Sequence, residues 1–290
     1  MKLGTVSAEG RVLAGFADGE EFVVCAEGTD ASNAVRRVVE GAIPLDDWRQ
    51  AASSAQRLRI DAVRLLAPIP EPRRDIFCVG KNYHAHAAEF HSSGFDSTSK
   101  EELPQAPIIF TKATTSVVGP DAPVNGSLDP TGSVDYEGEL GVVIGNRASR
   151  VSKAEAFDHV FGYVVLNDVT SRELQRRHSQ WIIGKGIDTF CPMGPWIVTA
   201  DEVEDVAALE LSTTINGEVR QKARVADLIF DIPTLIETLS ATMTLLPGDI
   251  IATGTPEGVG IGFKPPRYLA KGDRMSVSIS GLGTLENTIE

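Results

Sequence analysis

Tyr136-Glu137-Gly138-Glu139-Leu140-Gly141-Val142-Val143-Ile144-Gly145 carries the pattern of a β-strand. Strand side chains alternate between faces, so Glu137 and Glu139 project from one side. Leu140, Val142 and Ile144 occupy the other side and belong in a core. Gly138 and Gly141 leave room beside the carboxylates. Two adjacent carboxylates repel unless one takes up a proton or a cation sits between them. A hard divalent ion with oxygen ligands resolves that repulsion; for a bare Glu-x-Glu, a solvated strand face is the plainer alternative.

Outward from this run, residues 161–167 form a second strand-like segment ending at Asp168, and functional groups are often presented at such ends. Residues 3–7, 11–16, 21–25, 75–79, 107–111, 196–199, 209–215, 249–253 and 275–279 are further strand-like segments. Asp18-Gly19 and Asn216-Gly217 are hairpin signals. Helix is expected over 32–66 with Pro44 interrupting, over 83–91 behind Asn82 as cap, and over 232–245. A capping box at Thr170 and Glu173 opens another, running to about residue 180. Many strands without regular strand–helix alternation favour a β-rich α+β fold over a doubly wound one. The prolines of Pro68-Ile69-Pro70-Glu71-Pro72 place a boundary near residue 72, with a small N-terminal domain over 1–72 and a larger one over 73–290.

Forty acidic against 27 basic side chains leave the 290-residue chain at −13. That field repels polyanions and no Lys/Arg-rich run interrupts it, which argues against a nucleic-acid partner. Three cysteines at unpatterned spacings argue against a disulfide scaffold or a cysteine zinc site. The first residues lack the apolar core of a signal peptide, and no run approaches the ~20 apolar residues of a membrane-spanning helix. A reduced, cytoplasmic protein without a membrane partner is expected.

Asp168 joins Glu137 and Glu139 as a candidate metal ligand; alone, it reads as well as a neighbour of a helix cap. Three carboxylates that leave positions open for water and substrate suit Mg²⁺. In Gly80-Lys81-Asn82-Tyr83-His84-Ala85-His86-Ala87-Ala88-Glu89, His86 and Glu89 are helical neighbours. A carboxylate beside an imidazole fixes its tautomer and raises its basicity, as a general base requires; a polar helix face is the alternative. Lys185, in a glycine-flanked loop, and Lys112, at a strand end, are candidate cations for a developing enolate, against the ordinary reading of surface lysines. Gly254-Thr255-Pro256-Glu257-Gly258-Val259-Gly260 lacks the Gly-Lys-Ser/Thr ending of a phosphate loop, which excludes a nucleotide site there. It reads as a substrate-side loop with backbone amides and the Thr255 hydroxyl available. Arg172, Arg176 or Arg177 could bind a distal carboxylate, with a solvated helix face as the alternative.

Taken in order, Gly80 to Glu89, Phe110-Thr111-Lys112, the segments 135–145, 167–175 and 185–195, and Pro247 to Gly260 resemble the fumarylacetoacetate hydrolase family, over about 180 residues. Residues 1–72 resemble its variable N-terminal domain less strongly. The resemblance implies a mixed β-sandwich roll with a small N-terminal α/β domain, a homodimer, and Mg²⁺ or Mn²⁺ held by Glu137, Glu139 and Asp168. It implies that His86 and Glu89 form a catalytic dyad on a lid helix. It places Gln175, Lys185 and Thr255 against substrate oxygens, with Lys112 near the pocket. Ala113 departs from the proline many members carry there, which weakens the assignment of Lys112. The stretch 90–102 differs between activities within the family.

The activity this implies is hydrolysis of a carbon–carbon bond in a 2,4-dioxo acid, an acylpyruvate such as fumarylpyruvate from aromatic catabolism. The 2-oxo acid chelates the metal, His86 and Glu89 activate water, and a pyruvate enolate leaves with Lys185 supporting its charge. Oxaloacetate decarboxylation, or isomerisation or hydration of 2-hydroxyhepta-2,4-diene-1,7-dioate-type diacids, would use the same enolate sink. A non-catalytic metal- or metabolite-binding protein is the alternative outside enzymes.

Overall fold

The computed structural model describes residues 1–95 and 103–290. The chain begins with strands β1 (Lys2–Ala8), β2 (Arg11–Asp18) and β3 (Glu21–Glu27), then helices α1 (Ala34–Val39) and α2 (Leu45–Ala51) and short strands β4 (Arg57–Arg59) and β5 (Arg64–Leu65). Next come β6 (Ile76–Gly80), helix α3 (His84–Ser93), β7 (Ile108–Lys112), β8 (Val117–Val118), β9 (Val134–Asp135), β10 (Gly138–Ile144), β11 (Val160–Asn167) and β12 (Thr170–Ser171). Helices α4 (Arg172–Arg177) and α5 (Ile182–Lys185) precede β13 (Cys191–Thr199). The last third holds β14 (Glu210–Ile215), β15 (Glu218–Arg224), helix α6 (Ile232–Thr242), β16 (Ile250–Ala252), β17 (Arg274–Ile279) and β18 (Gly283–Thr288).

A twelve-stranded sheet runs β4-β3-β2-β1-β13-β11-β10-β16-β6-β7, with β5 added at β1 and β8 at β13. The β16–β6 and β13–β8 pairs are parallel and the other pairs antiparallel, so the sheet is mixed. A four-stranded sheet, β15-β14-β17-β18, packs beside it. Asn216 and Gly217 both have positive φ, which the two-residue hairpin between β14 and β15 requires. The sheet crosses the proline-rich stretch: Lys2 and Leu3 of β1 lie opposite Val198 and Ile197 of β13.

Strand β10 is buried along its whole length. Leu140, Val142 and Ile144 pack with Leu235, Ile236 and Leu239 of α6 and with Val277 and Ile279 of β17. Val143, on the other face, packs with Leu3, Phe16 and Val23 from the N-terminal strands. Covering both faces buries Glu139 within this strand, so its charge must be met inside the protein.

Several local expectations change. Arg57–Arg59 and Arg64–Leu65 are strands rather than helix, joined by a 3-10 turn at Ile60–Ala62, because they pair with β3 and β1 and tertiary pairing overrides helical propensity. Asn82 does not cap α3: its amide donates to the carbonyls of Phe230 and Thr253 and accepts from Phe230 N. Thr170 opens no capping box; it pairs in β12 with Asp135, and the first turn of α4 is met by Ser133 Oγ, which accepts the Glu173 N–H at 3.0 Å. Helix α4 ends at Arg177, and α6 ends at Thr242 because Leu245 bridges in extended form to Ala148. Lys185 closes the short helix α5 instead of lying in a loop, and β18 was not foreseen.

Candidate active site

The antiparallel register of β10 and β11 sets Gly138 opposite Asn167. Glu137 just before β10, Glu139 within it and Asp168 just after β11 therefore meet at one end of the sheet. The Glu137 N–H donates to Asn167 Oδ1 at 3.0 Å, and Asp168 N donates to the Glu137 carbonyl at 2.8 Å. All three carboxylates are buried, each offering an oxygen within 4.8 Å of the others.

Cations from three other elements reach two of these carboxylates. Lys185 Nζ lies 2.7 Å from Glu137 Oε2 and 2.9 Å from Asp168 Oδ2. Lys112 Nζ donates to Asp168 Oδ1 at 2.6 Å, to the Val169 carbonyl at 2.9 Å and to the Lys185 carbonyl. Arg172 places Nη1 2.6 Å from Glu137 Oε1 and donates from Nε to Asp135 Oδ2 at 2.8 Å. Among the described residues, Glu139 receives one hydrogen bond, from the Gly254 N–H at 2.8 Å.

The imbalance is chemical. Burial, then the charges of Asp168 and Glu137, push the Glu139 carboxyl well above the ordinary range. Burial also opposes ionisation of Glu137, but Lys185 and Arg172 outweigh it and hold that carboxyl below its usual value. Lys185, Lys112 and Arg172 meet Glu137 and Asp168 directly, whereas Glu139 has no ion pair among the described residues. An all-oxygen donor set that includes a carboxylate without a cation in contact fits a hard divalent cation.

This arrangement has a thermodynamic sign. Glu139 takes its proton more readily in the folded protein than in the unfolded chain, so the metal-free protein loses stability as pH rises above the ordinary carboxylate range. A divalent ion binds the ionised form and removes that penalty. Mg²⁺ at one fixed concentration, about 100 times its dissociation constant at pH ~8, should raise the melting temperature by ~5 °C at that pH, and by much less near pH ~5, where protonation of Glu139 weakens binding. Calorimetric scans with and without Mg²⁺ check this, and equal shifts at the two pH values would contradict the role of Glu139.

Helix α3 lies over this cluster. His86 Nδ1 is 3.2 Å from Glu89 Oε2, and Gly258 N lies 3.0 and 3.2 Å from the two Glu89 oxygens. A carboxylate at Nδ1 favours the tautomer protonated there, leaving Nε2 as a proton acceptor. His86, Glu137, Gln175, Lys185 and Thr255 line a single narrow cleft. Phe90, Phe110 and Trp181 form its apolar wall, stacked edge-on at 5.9 and 5.2 Å between ring centroids.

The sequence-predicted residues thus fall into three groups. His86, Lys185, Gln175 and Thr255 reach the cleft; Glu89 stands behind His86; Glu137, Glu139 and Asp168 meet beneath. Lys112 does not line the cleft, and its three donors are committed to Asp168 and two backbone carbonyls. The Thr255 hydroxyl donates to the Gly138 carbonyl and accepts from Gln221 Nε2. The loop amides are not open to a ligand as expected: Gly254, Gly258, Gly260 and Ile261 donate to Glu139, Glu89 and Asp135. Arg172 is wholly buried, not solvated; it lines the cleft, and its Nη2 has no partner among the described residues. Its spacing of three from Gln175 was the available signal, since that puts both on one helix face. Lys81 also lines the cleft, and Gln221, on a distant strand, had no sequence signal at all.

The fold and the sequence match a known class. The pattern described as Fumarylacetoacetate (FAA) hydrolase C-terminal matches residues 75–290, and the chain belongs to that family of enzymes. It is 49% identical over 230 residues to oxaloacetate tautomerase YisK of Bacillus subtilis (strain 168), covering 79% of this chain and 74% of that one. The fumarylacetoacetate hydrolase of Exiguobacterium antarcticum superposes with a TM-score of 0.82 at 39% identity, covering 100% and 99% of the two chains. A maleylpyruvate hydrolase from Sphingobium sp. SYK-6, solved with manganese(II) and pyruvate, gives 0.80 at 33% identity, covering 100% and 98%. No helix among the described residues is long and apolar enough to cross a membrane.

Proposed function

We propose that the protein is a metal-dependent enzyme that moves a proton at C3 of a 2-oxo diacid, interconverting the keto and enol forms of oxaloacetate. The observation that carries this is His86, oriented by Glu89, over a cleft where Lys185, Gln175 and Arg172 converge beside three buried carboxylates. The similarity to a tautomerase at 49% identity supports it. Bound on Glu137, Glu139 and Asp168, Mg²⁺ or Mn²⁺ would supply Lewis-acid polarisation of the 2-oxo group. His86 Nε2 removes the C3 proton, and the imidazolium, stabilised by Glu89, delivers it to the 2-oxo oxygen to give the enol; ketonisation runs the same two transfers backwards. Lys185 donates to the oxygen on which enolate charge develops. Gln175 Oε1 accepts from Arg172 Nη1 at 3.1 Å, which turns the Gln175 amide donors toward the substrate. Arg172 Nη2 offers a buried ionic donor to a substrate carboxylate.

The same parts support hydrolysis of an acylpyruvate, with His86 activating water and the pyruvate enolate leaving. The likeness to a maleylpyruvate hydrolase favours keeping this second reading. A homodimer is the assembly that accompanies either.

The test follows enol absorbance of oxaloacetate with Mg²⁺, with Mn²⁺ and with EDTA, alongside pyruvate release from oxaloacetate and from acylpyruvates. Metal-dependent acceleration of enol–keto exchange is expected. Pyruvate release from acylpyruvates without tautomerisation would transfer the assignment to hydrolysis, and inactivity in every arm would overturn both.

A further inference from the structure

Two residues just ahead of the candidate metal ligands reach across to the loop that holds Glu89. Tyr136 Oη donates to the Gly258 carbonyl at 2.7 Å. The N–H of the same Gly258 points the other way, to the Glu89 carboxylate. Two residues on, Gly260 N and Ile261 N donate to Asp135 Oδ1 and Oδ2 at 2.7 and 3.1 Å. Gly262 then presses against Glu89, where a β-carbon would sit 1.9 Å from Oε1. Gly258 itself has φ +97°, and a β-carbon there would lie 1.9 Å from the Arg220 carbonyl, so the loop has no slack on that side.

We propose that Tyr136 and Asp135 are positioning residues that clamp the loop 258–262 and thereby hold Glu89 against His86. The inference rests on His86 and Glu89 acting as a pair. Tyr136 holds the carbonyl of Gly258, the residue whose own N–H meets Glu89; Asp135 fixes the turn that follows, and its link to Arg172 ties the loop to the carboxylate cluster. The dyad on α3 is thus registered to the carboxylates of β10 through a path that needs no contact between His86 and those carboxylates. Releasing the Gly258 carbonyl should loosen Glu89, let His86 sample both tautomers, and leave the carboxylate cluster in place.

The experiment uses the full chain with Mg²⁺, ¹⁵N-labelled at histidine, at mildly alkaline pH. Tyr136→Phe keeps the ring and removes only the hydroxyl. The two His86 ring nitrogen shifts, assigned with His86→Gln, are expected to draw together in Tyr136→Phe, part-way to their positions in Glu89→Gln. Magnesium affinity should stay within about twofold, while kcat falls about 10-fold with KM nearly constant. A purely structural tyrosine would lower the melting temperature without moving the nitrogen shifts, and unmoved shifts in Tyr136→Phe overturn the proposal. Because the shifts are read without turnover, they decide it even if no substrate is converted, an outcome that would count against the proposed reaction alone.

Discussion

His86→Ala should lower turnover by about 10²–10⁴-fold, the usual contribution of a positioned general base or acid. Mg²⁺ affinity should hardly change, because Glu137, Glu139 and Asp168 are anchored by β10, β11, Lys112 and Lys185 and not by α3. The contrast is what makes the result informative. A side chain that merely packed in the cleft would alter KM or stability, whereas loss of the proton acceptor lowers kcat in a protein that still binds metal and substrate. Glu89→Gln should give a smaller loss, since Nε2 remains over the cleft but its tautomer is no longer imposed. Turnover in His86→Ala within threefold of the parent would remove His86 from the chemistry and require another group as the base.

Arg172→Leu carries the second large effect, on stability. The substitution strips Asp135 and Glu137 of their shared guanidinium in a place water does not reach. Breaking a buried pair from one side costs roughly 3–5 kcal/mol, because a charge is left uncompensated. The lower part of that range is expected. Asp135 keeps three backbone N–H donors, from Tyr136, Gly260 and Ile261, and Glu137 keeps Lys185. Urea denaturation of the metal-free protein checks the figure, and a loss below about 1 kcal/mol would mean the cluster relaxes or admits water. Mg²⁺ should restore part of the loss by replacing the missing positive charge on Glu137.

The parts of the site legible in the sequence share one property: their geometry is local or periodic. Alternation along a strand put Glu137 and Glu139 together, and three-residue helical spacing put His86 beside Glu89. The resemblance then supplied Gln175, whose position no spacing dictates, and gave substrate contacts to Lys185 and Thr255, which their glycine-containing segments had already singled out. Expectations failed where a polar side chain had two possible employers. Asn82 and Thr170 look like helix caps, yet distant carbonyls and a paired strand claim them first. Arg172 reads from sequence either as a partner for a distal carboxylate or as part of a solvated helix face, and only the fold shows four buried carboxylates within the same small region. Lys112 was expected near substrate, but the structure turns it inward, where it joins Asp168 to the end of α5.

The pairing of β1 with β13 has a consequence for anyone shortening the chain. Trimming before the proline-rich stretch would uncover the Ile197–Val198 edge of β13, a row of unpaired backbone groups flanked by apolar side chains. Such an edge recruits other strands, so the shortened protein would self-associate. It would also wet the back of β10 and β11, where Val143, Val164 and Leu166 are sealed by Leu3, Phe16 and Val23. The first strands are therefore the insulation behind the charged cluster: they keep its surroundings poorly polarisable, the condition under which a few buried charges act strongly on a bound anion.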